Sequence, residues 1–307
     1  MEERLKRVNG ENAKCLVRTT IAQYVIQKGD LPRAKEILDS VSSEIEKLDS
    51  TDSSVYAKFY HVFTSYYKVR KQSCNLFSDV LESYIHLLFT QRIGSASQFY
   101  KNGLLYLAYV QAENISLQEQ KTLSVDLIVS SLIAEDTYIF GELVAQPILQ
   151  SLQGTEDAWL VDLLHAFNSG DIRRYQQVLE NNKAGLSSRK DLQEKSQFLS
   201  EKISILSLIE LIFTRPAQNR NISFREIAQA SFLKTDEVEI LVMRALSVGL
   251  IKGEIDEVSQ VVSIDWVIPR VLNLQQIETL KGKIDGWRDH VNKTLNVLED
   301  NTQELLV

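Results

Sequence analysis

The sequence predicts a mainly α protein: a right-handed superhelix of paired helices, then a winged-helix module, then one long C-terminal helix. Three observations carry this. Four prolines and twelve glycines in 307 residues leave few helix breakers, and apolar residues recur at helical spacing through most of the chain. Between Asn221 and Pro269 the apolar period changes from 3.6 to 2, in the order helix, turn, helix, hairpin. From Ile277 onward an apolar residue recurs every seven positions.

The chain is expected to open with a helical hairpin over residues 12–48. Leu16, Val17, Ile21, Tyr24 and Val25 mark its first helix, and Gly29-Asp30 the turn. Pro32 suits the first turn of the next helix, where its missing N–H costs nothing. Ala34, Ile37, Leu38, Val41, Ile45 and Leu48 then form an apolar stripe, and small Ala34 lets the pair approach closely. The G-D-L-P-x-A spacing is similar to the turn of a tetratricopeptide-type (TPR-like) repeat. Further helices are predicted through Val55–Tyr66, Phe77–Leu88, Ser97–Ala112 and Leu117–Ile133. None can bury its apolar face alone, whereas stacked pairs can.

Around Phe140–Gln153 the pattern shortens, and a helix should end before Pro147 or restart at it. Helices over Glu156–Phe167 and Ile172–Asn181 follow, separated by a second G-D turn at Gly170-Asp171. Lys183–Lys190 (KAGLSSRK) reads as a loop. A long helix over Asp191–Phe213 then leads into the module beyond Pro216. The predicted domains are thus residues 1–190, helical repeats; 191–270, winged helix; and 271–307, terminal helix.

Within the winged helix, Ser223 and Glu226 form an S-x-x-E capping box, with Ile222 and Ile227 as a hydrophobic staple. This predicts a helix from Phe224 to about Phe232. Thr235 is the expected cap of the second helix, whose Val238, Leu241, Val242, Ala245 and Leu246 share a face, and Gly249 ends it. Ile251, Gly253 and Ile255 alternate with Lys252, Glu254 and Asp256 in one strand; Val262, Ile264, Trp266 and Ile268 alternate with Val261, Ser263, Asp265 and Val267 in the other. Glu257–Ser259 make the turn, and Pro269 stops the second strand.

Charge argues against nucleic acid. The reading helix carries one base, Arg244, against Asp236, Glu237 and Glu239, and the hairpin adds Glu254, Asp256 and Glu257. Phosphate binding needs neutralising cations on that surface. The formal net charge of −7 points the same way, and also away from an anionic membrane. Two cysteines, Cys15 and Cys74, indicate no disulfide scaffold. The opening MEERLKRVNG lacks an apolar signal core, and no run is long and apolar enough to span a bilayer.

Catalytic motifs are missing. There is no GxxxxGK[ST], GxGxxG or HExxH, and His61, His86, His165 and His290 lack zinc-site spacing. No base is displayed beside Cys15 or Cys74. No cofactor, metal or catalytic residue is therefore expected. Arg215, Arg220 and Arg225 cluster, with Lys195 and Lys202 nearby, and Arg215 and Arg220 read as ties between loop and helix ends rather than an acidic-partner contact. The aromatic run Phe59, Tyr60, Phe63, Tyr66 and Tyr67 reads as packing between helices rather than a peptide groove.

In the last helix Ile277, Ile284, Val291, Leu298 and Leu305 recur by seven, with Leu280 and Trp287 at the alternate positions and Thr294 and Asn301 diluting the seam. The helix is predicted over Leu274–Leu306, and its stripe calls for a cover, by other chains rather than by a fold back along its own domain.

Helical repeats, a winged helix and a terminal helix form the plan of the PCI-domain family of scaffold subunits. AFNSGD (166–171), FTRPAQNR (213–220), ALSVGLIKGEIDEV (245–258) and WVIPRVLNLQQI (266–277), with FGEL (140–143), resemble one branch of it, the subunit-13 family of the 26S proteasome lid. The resemblance implies a non-catalytic structural subunit in cytoplasm and nucleus, bound to other PCI-type and MPN-type lid subunits in a hetero-oligomer that serves ubiquitin-dependent proteolysis. It implies edge-to-edge association through the wing strands, Leu250–Asp256 and Gln260–Ile268, with Ile251, Ile255, Val262 and Ile264 among their residues. It also implies a shared helical bundle through Ile277, Leu280, Ile284, Trp287, Val291 and Leu298. By the same resemblance the chain starts partway through the family's helical repeats, as a truncated form or shortened gene model would. A scaffold in another PCI complex, the signalosome or a translation initiation factor, is the alternative.

Overall fold

The computed structural model describes residues 11–45, 52–76, 85–110, 115–215, 220–269, 271 and 274–302. Two compact units result, Met1–Ile268 and Pro269–Val307.

The first unit begins with paired helices, α1 (Glu11–Gln27) and α2 (Leu31–Ile45). Gly29 turns the chain at φ +86°, which costs glycine no Cβ clash. Ala34 is fully buried, as a close helix pair requires. The core face of α1 differs from the expected one. Cys15, Thr19, Ala22 and Ile26 point inward, while Val17 and Tyr24 are exposed. Buried Thr19 is tolerated because its hydroxyl donates to the Cys15 carbonyl at 2.7 Å.

Next come α3 (Ser53–Leu76) and α4 (Ile85–Tyr109). α4 runs unbroken where two helices were expected, because Gly94 and the Ser95 and Ser97 that follow it are tolerated inside a helix held by tertiary packing. Phe77, Val80, Leu81, Tyr84 and Leu48 lie outside the described residues. Phe59, Tyr66 and Tyr67 are buried, so the aromatic run is core packing.

α5 (Leu117–Ile133) is capped by Ser116, whose hydroxyl accepts from the Glu119 N–H. A single-turn α6 (Gly141–Val144) precedes a 3₁₀ helix at Pro147–Leu152 that restarts at the proline, as expected. α7 (Ala158–Ser169) closes on Gly170 in the left-handed conformation, and Asp171 caps α8 (Ile172–Asn181) through the Arg173 and Arg174 N–H groups. The expected loop at Lys183–Lys190 is instead two short helices, α9 (Lys183–Ser188) and α10 (Lys190–Glu194). Gly185 sits against the Trp159 ring, too close for any added Cβ, so contact with α7 stabilises turns that local propensity does not. The helix expected from Asp191 is accordingly interrupted at Lys195, and α11 (Ser196–Thr214) starts after it.

α11 is the spine of this unit. Leu199, the whole run Lys202–Ile209 and Ile212 are buried, so it is covered almost all round. The Ser207 hydroxyl donates to the Ala230 carbonyl and ties the spine to the winged helix. That module comprises β1 (Asn221–Ser223), α12 (Phe224–Ser231), α13 (Thr235–Ser247), β2 (Ile251–Asp256) and β3 (Val261–Val267). The sheet has three antiparallel strands in the order β1-β3-β2, so β1 adds a strand to the expected hairpin. The second unit is α14 (Leu274–Thr302).

Candidate interaction site

The winged helix is assembled by local chemistry. Ser223 and Glu226 make the reciprocal capping box at the start of α12, and Ile222 and Ile227 are both fully buried beneath it. Arg215 pairs with Glu226 at 3.1 Å. That guanidinium, and the Ser223 N–H that Glu226 accepts, hold the Glu226 carboxyl below its usual value. Arg215 thus ties the end of α11 to the start of α12. The Ile264 N–H donates to the Arg220 carbonyl, which fixes the approach to β1. Thr235 is not the cap of α13. Lys234 holds that position, and its N–H donates to the Glu237 carboxylate at 3.2 Å.

α13 buries Val238, Leu241, Val242 and Ala245 and turns Ile240 and Met243 outward. Its one base, Arg244, forms an ion pair with Glu201 of the spine. The outward face is therefore apolar and acidic where a DNA reader is basic. In the wing tip, Asp256 accepts from Ser259, which lowers its pKa.

In the wing strands the side chains of Ile251, Val262 and Ile264 point into the module's own core, and Ile255 is half-buried. What β2 offers outward is its backbone edge, since β3 lies between β1 and β2. Trp266 does not follow the expected alternation. A bulge between Lys252 and Gly253 shifts the register, so Lys252 faces Trp266 and Gly253 faces Ile264. The shift turns Trp266 outward, where the Lys252 ammonium lies 5.3 Å from its ring centre. A period of two cannot anticipate an added residue.

Along α14, Ile277, Leu280, Ile284, Val291 and Leu298 are 46–56% exposed and Trp287 is 70% exposed. Leu295 and Val297, which the seven-residue register passes over, extend this apolar surface. Leu305 lies outside the described residues.

Lys202 is the residue that sequence reasoning missed. It is fully buried, not part of a surface cluster. Its ammonium donates to the Ser131, Leu132 and Ala134 carbonyls at 2.9, 3.1 and 2.7 Å. These are carbonyls at the end of α5 that lack helical partners. The Tyr138, Phe140 and Phe198 rings surround it at 5.2–5.6 Å. Burial pushes its pKa well down, and neighbouring Lys195 adds to the shift.

Among the described residues no group of three His, Cys, Asp or Glu side chains could hold a metal ion, and no helix is long and apolar enough to cross a membrane. Cys15 is buried, and burial raises its thiol pKa, with Glu44 adding to the rise.

Helical repeats feeding a winged helix through one buried spine define the class, a PCI protein, and the family model described as PCI domain matches residues 179–266. The model described as PSD13 N-terminal repeats matches residues 1–88 and 84–164. The 26S proteasome non-ATPase regulatory subunit 13 homolog B of Arabidopsis thaliana is 40% identical over 290 residues, covering 94% of this chain and 69% of the relative. The subunit 13 of Dictyostelium discoideum is 36% identical over 299 residues, 96% of this chain and 72% of its own. The 26S proteasome regulatory subunit RPN9 of Saccharomyces cerevisiae is 32% identical over 294 residues, 95% and 68%. The chain belongs to the family of 26S proteasome non-ATPase regulatory subunit 13.

Proposed function

We propose that this protein is a non-catalytic structural subunit of the lid of the 26S proteasome regulatory particle, and that it scaffolds the lid in ubiquitin-dependent protein degradation. The observation that carries the reading is the exposed stripe of α14, Ile277, Leu280, Ile284, Trp287, Val291 and Leu298, in a chain of this family. A stripe repeating by seven is a bundle seam, and such seams reach stability when covered by other helices. The β2 edge, whose backbone faces outward, is a second attachment by strand addition. Its Ile251 side chain and the Val262 and Ile264 side chains of β3 support that edge from inside, and Ile255 packs half-buried on the same core.

In this reading the functional domains are the helical repeats at 1–190, the winged helix at 191–270 and the bundle helix at 271–307. The partners are other lid subunits, of PCI and MPN type, in cytoplasm and nucleus. Nucleic acid is not a partner, since the reading helix has its base engaged and its acids exposed. Affinity purification of the tagged full chain, with mass spectrometry of what accompanies it, tests this. Lid subunits in stoichiometric yield are expected. Recovery of signalosome or initiation-factor subunits instead overturns the assignment to the proteasome.

A further inference from the structure

The charges of α14 are sorted about its apolar seam. With Ile277, Ile284, Val291 and Leu298 as first positions of the heptad and Leu280 and Trp287 as fourth, the flanking fifth and seventh positions of the first two heptads are Lys281, Lys283, Arg288 and His290, and those of the third are Leu295 and Val297. The acids of the same stretch, Glu278, Asp285 and Asp289, fall on the second and sixth positions, on the side away from the seam. Lys281, Lys283, Arg288 and His290 are all exposed. Arg288 is drawn toward that outer side, pairing with Asp285 at 3.2 Å and Asp289 at 3.3 Å, and the His290 ring contacts the Gly286 carbonyl at 2.8 Å.

Flanking positions face their counterparts across a helix–helix seam and set which partner is accepted. A second copy of this helix would bring lysine and arginine against lysine and arginine, whether parallel or antiparallel. Like charges in that position cost association and slow encounter. We infer that the tail seam accepts a heterologous helix whose flanking positions are glutamate and aspartate, and that it excludes a second copy of this chain. The inference rests on the lid reading above and adds the chemistry of the partner and the exclusion of self-pairing.

The test uses three full-length variants produced in cells: Lys281→Glu/Lys283→Glu, Lys281→Gln/Lys283→Gln and Ile284→Asp. Each is read as the fraction that sediments with the lid. Lysine, glutamine and glutamate have similar helix propensities, and circular dichroism of each purified variant confirms that helicity is kept. The expected order is wild type, then the glutamine pair, then the glutamate pair, with the last reduced about tenfold although every apolar seam residue is present. Raising salt should narrow the gap between them. Equal incorporation of wild type and the glutamate pair, with Ile284→Asp excluded, overturns the acidic-partner inference and leaves the lid reading standing. Normal incorporation of Ile284→Asp overturns the role of the tail itself. Sedimentation of the purified wild-type chain completes the test, since self-association through the tail overturns the exclusion of a second copy.

Discussion

Lys202 shows what one side chain contributes to this fold. Its ammonium replaces lost hydration with three carbonyls and three aromatic faces, so a charge sits in the core with its donors used. Lys202→Met keeps the length and apolar stem but leaves the carbonyls at the end of α5 without their donor. Unsatisfied buried acceptors predict a loss of about 2–4 kcal/mol, measured by urea unfolding. Nothing in the sequence announced this, because a lysine in a helix reads as solvent-facing and its acceptors lie some seventy residues away. Glu226 is the opposite case, since its capping box stood in four consecutive letters. Its carboxyl titrates below the ordinary value in the folded chain. The stabilisation it gives is therefore present above the unfolded glutamate value of about 4.3 and lost as pH falls through the lower folded value. Glu226 is exposed, so the contribution is under about 1 kcal/mol. Glu226→Gln should lower the melting temperature slightly at pH 7 and not at all at acid pH below the folded value.

Elements were legible where a local signal closes them. Both G-D turns, the capping box and the restart at Pro147 formed where their residues said they would. Illegible were the features decided by distant contact: the unbroken α4, the helical turns at Lys183–Glu194, and the bulge that turns Trp266 outward. The two G-D turns also differ in a way that sequence does not show. Gly29 has open space where a Cβ would stand, whereas a Cβ on Gly170 would lie 2.8 Å from the Leu206 carbonyl oxygen of the spine. Both glycines have positive φ, so alanine at either strains the backbone by about 1 kcal/mol. At Gly170 the added atom also pushes α7 off α11. Gly170→Ala should therefore cost about 2–4 kcal/mol and Gly29→Ala about 1 kcal/mol, compared in paired denaturant titrations. Equal losses at the two sites would mean that the α7–α11 approach can yield.

At the scale of the molecule, the proposed interaction residues were the least legible, because burial decides which side chains remain available. The residues of α14 that recur by seven could be read directly, and Ile277, Leu280, Ile284, Trp287, Val291 and Leu298 are exposed, whereas exposed Leu295 and Val297 lie outside that count. The wing residues could not: Ile251, Val262 and Ile264 serve the module's core, and the edge they support is backbone. The two proposed attachments on one chain have a consequence that neither has alone. Once one is engaged, the other binds at the effective concentration set by the intervening chain, so losing one weakens retention and losing both removes it. Ile284→Asp places a carboxylate on an exposed position, where substitutions change stability by about 0.5 kcal/mol or less, and the isolated protein should melt as wild type does. Covered by partner helices, the same carboxylate is a buried unpaired charge, costing several kcal/mol. Ile255→Lys puts a charge into β2, the strand with the open edge, a device that discourages strand addition, and because Ile255 is half-buried against the module's core its melting is compared with wild type first. Each variant should lower the fraction of chain held in the lid through salt washes, and the double variant should be lost completely. If Ile255→Lys leaves retention unchanged, and the double variant matches Ile284→Asp alone, then the tail holds the chain by itself and the wing edge is not an attachment.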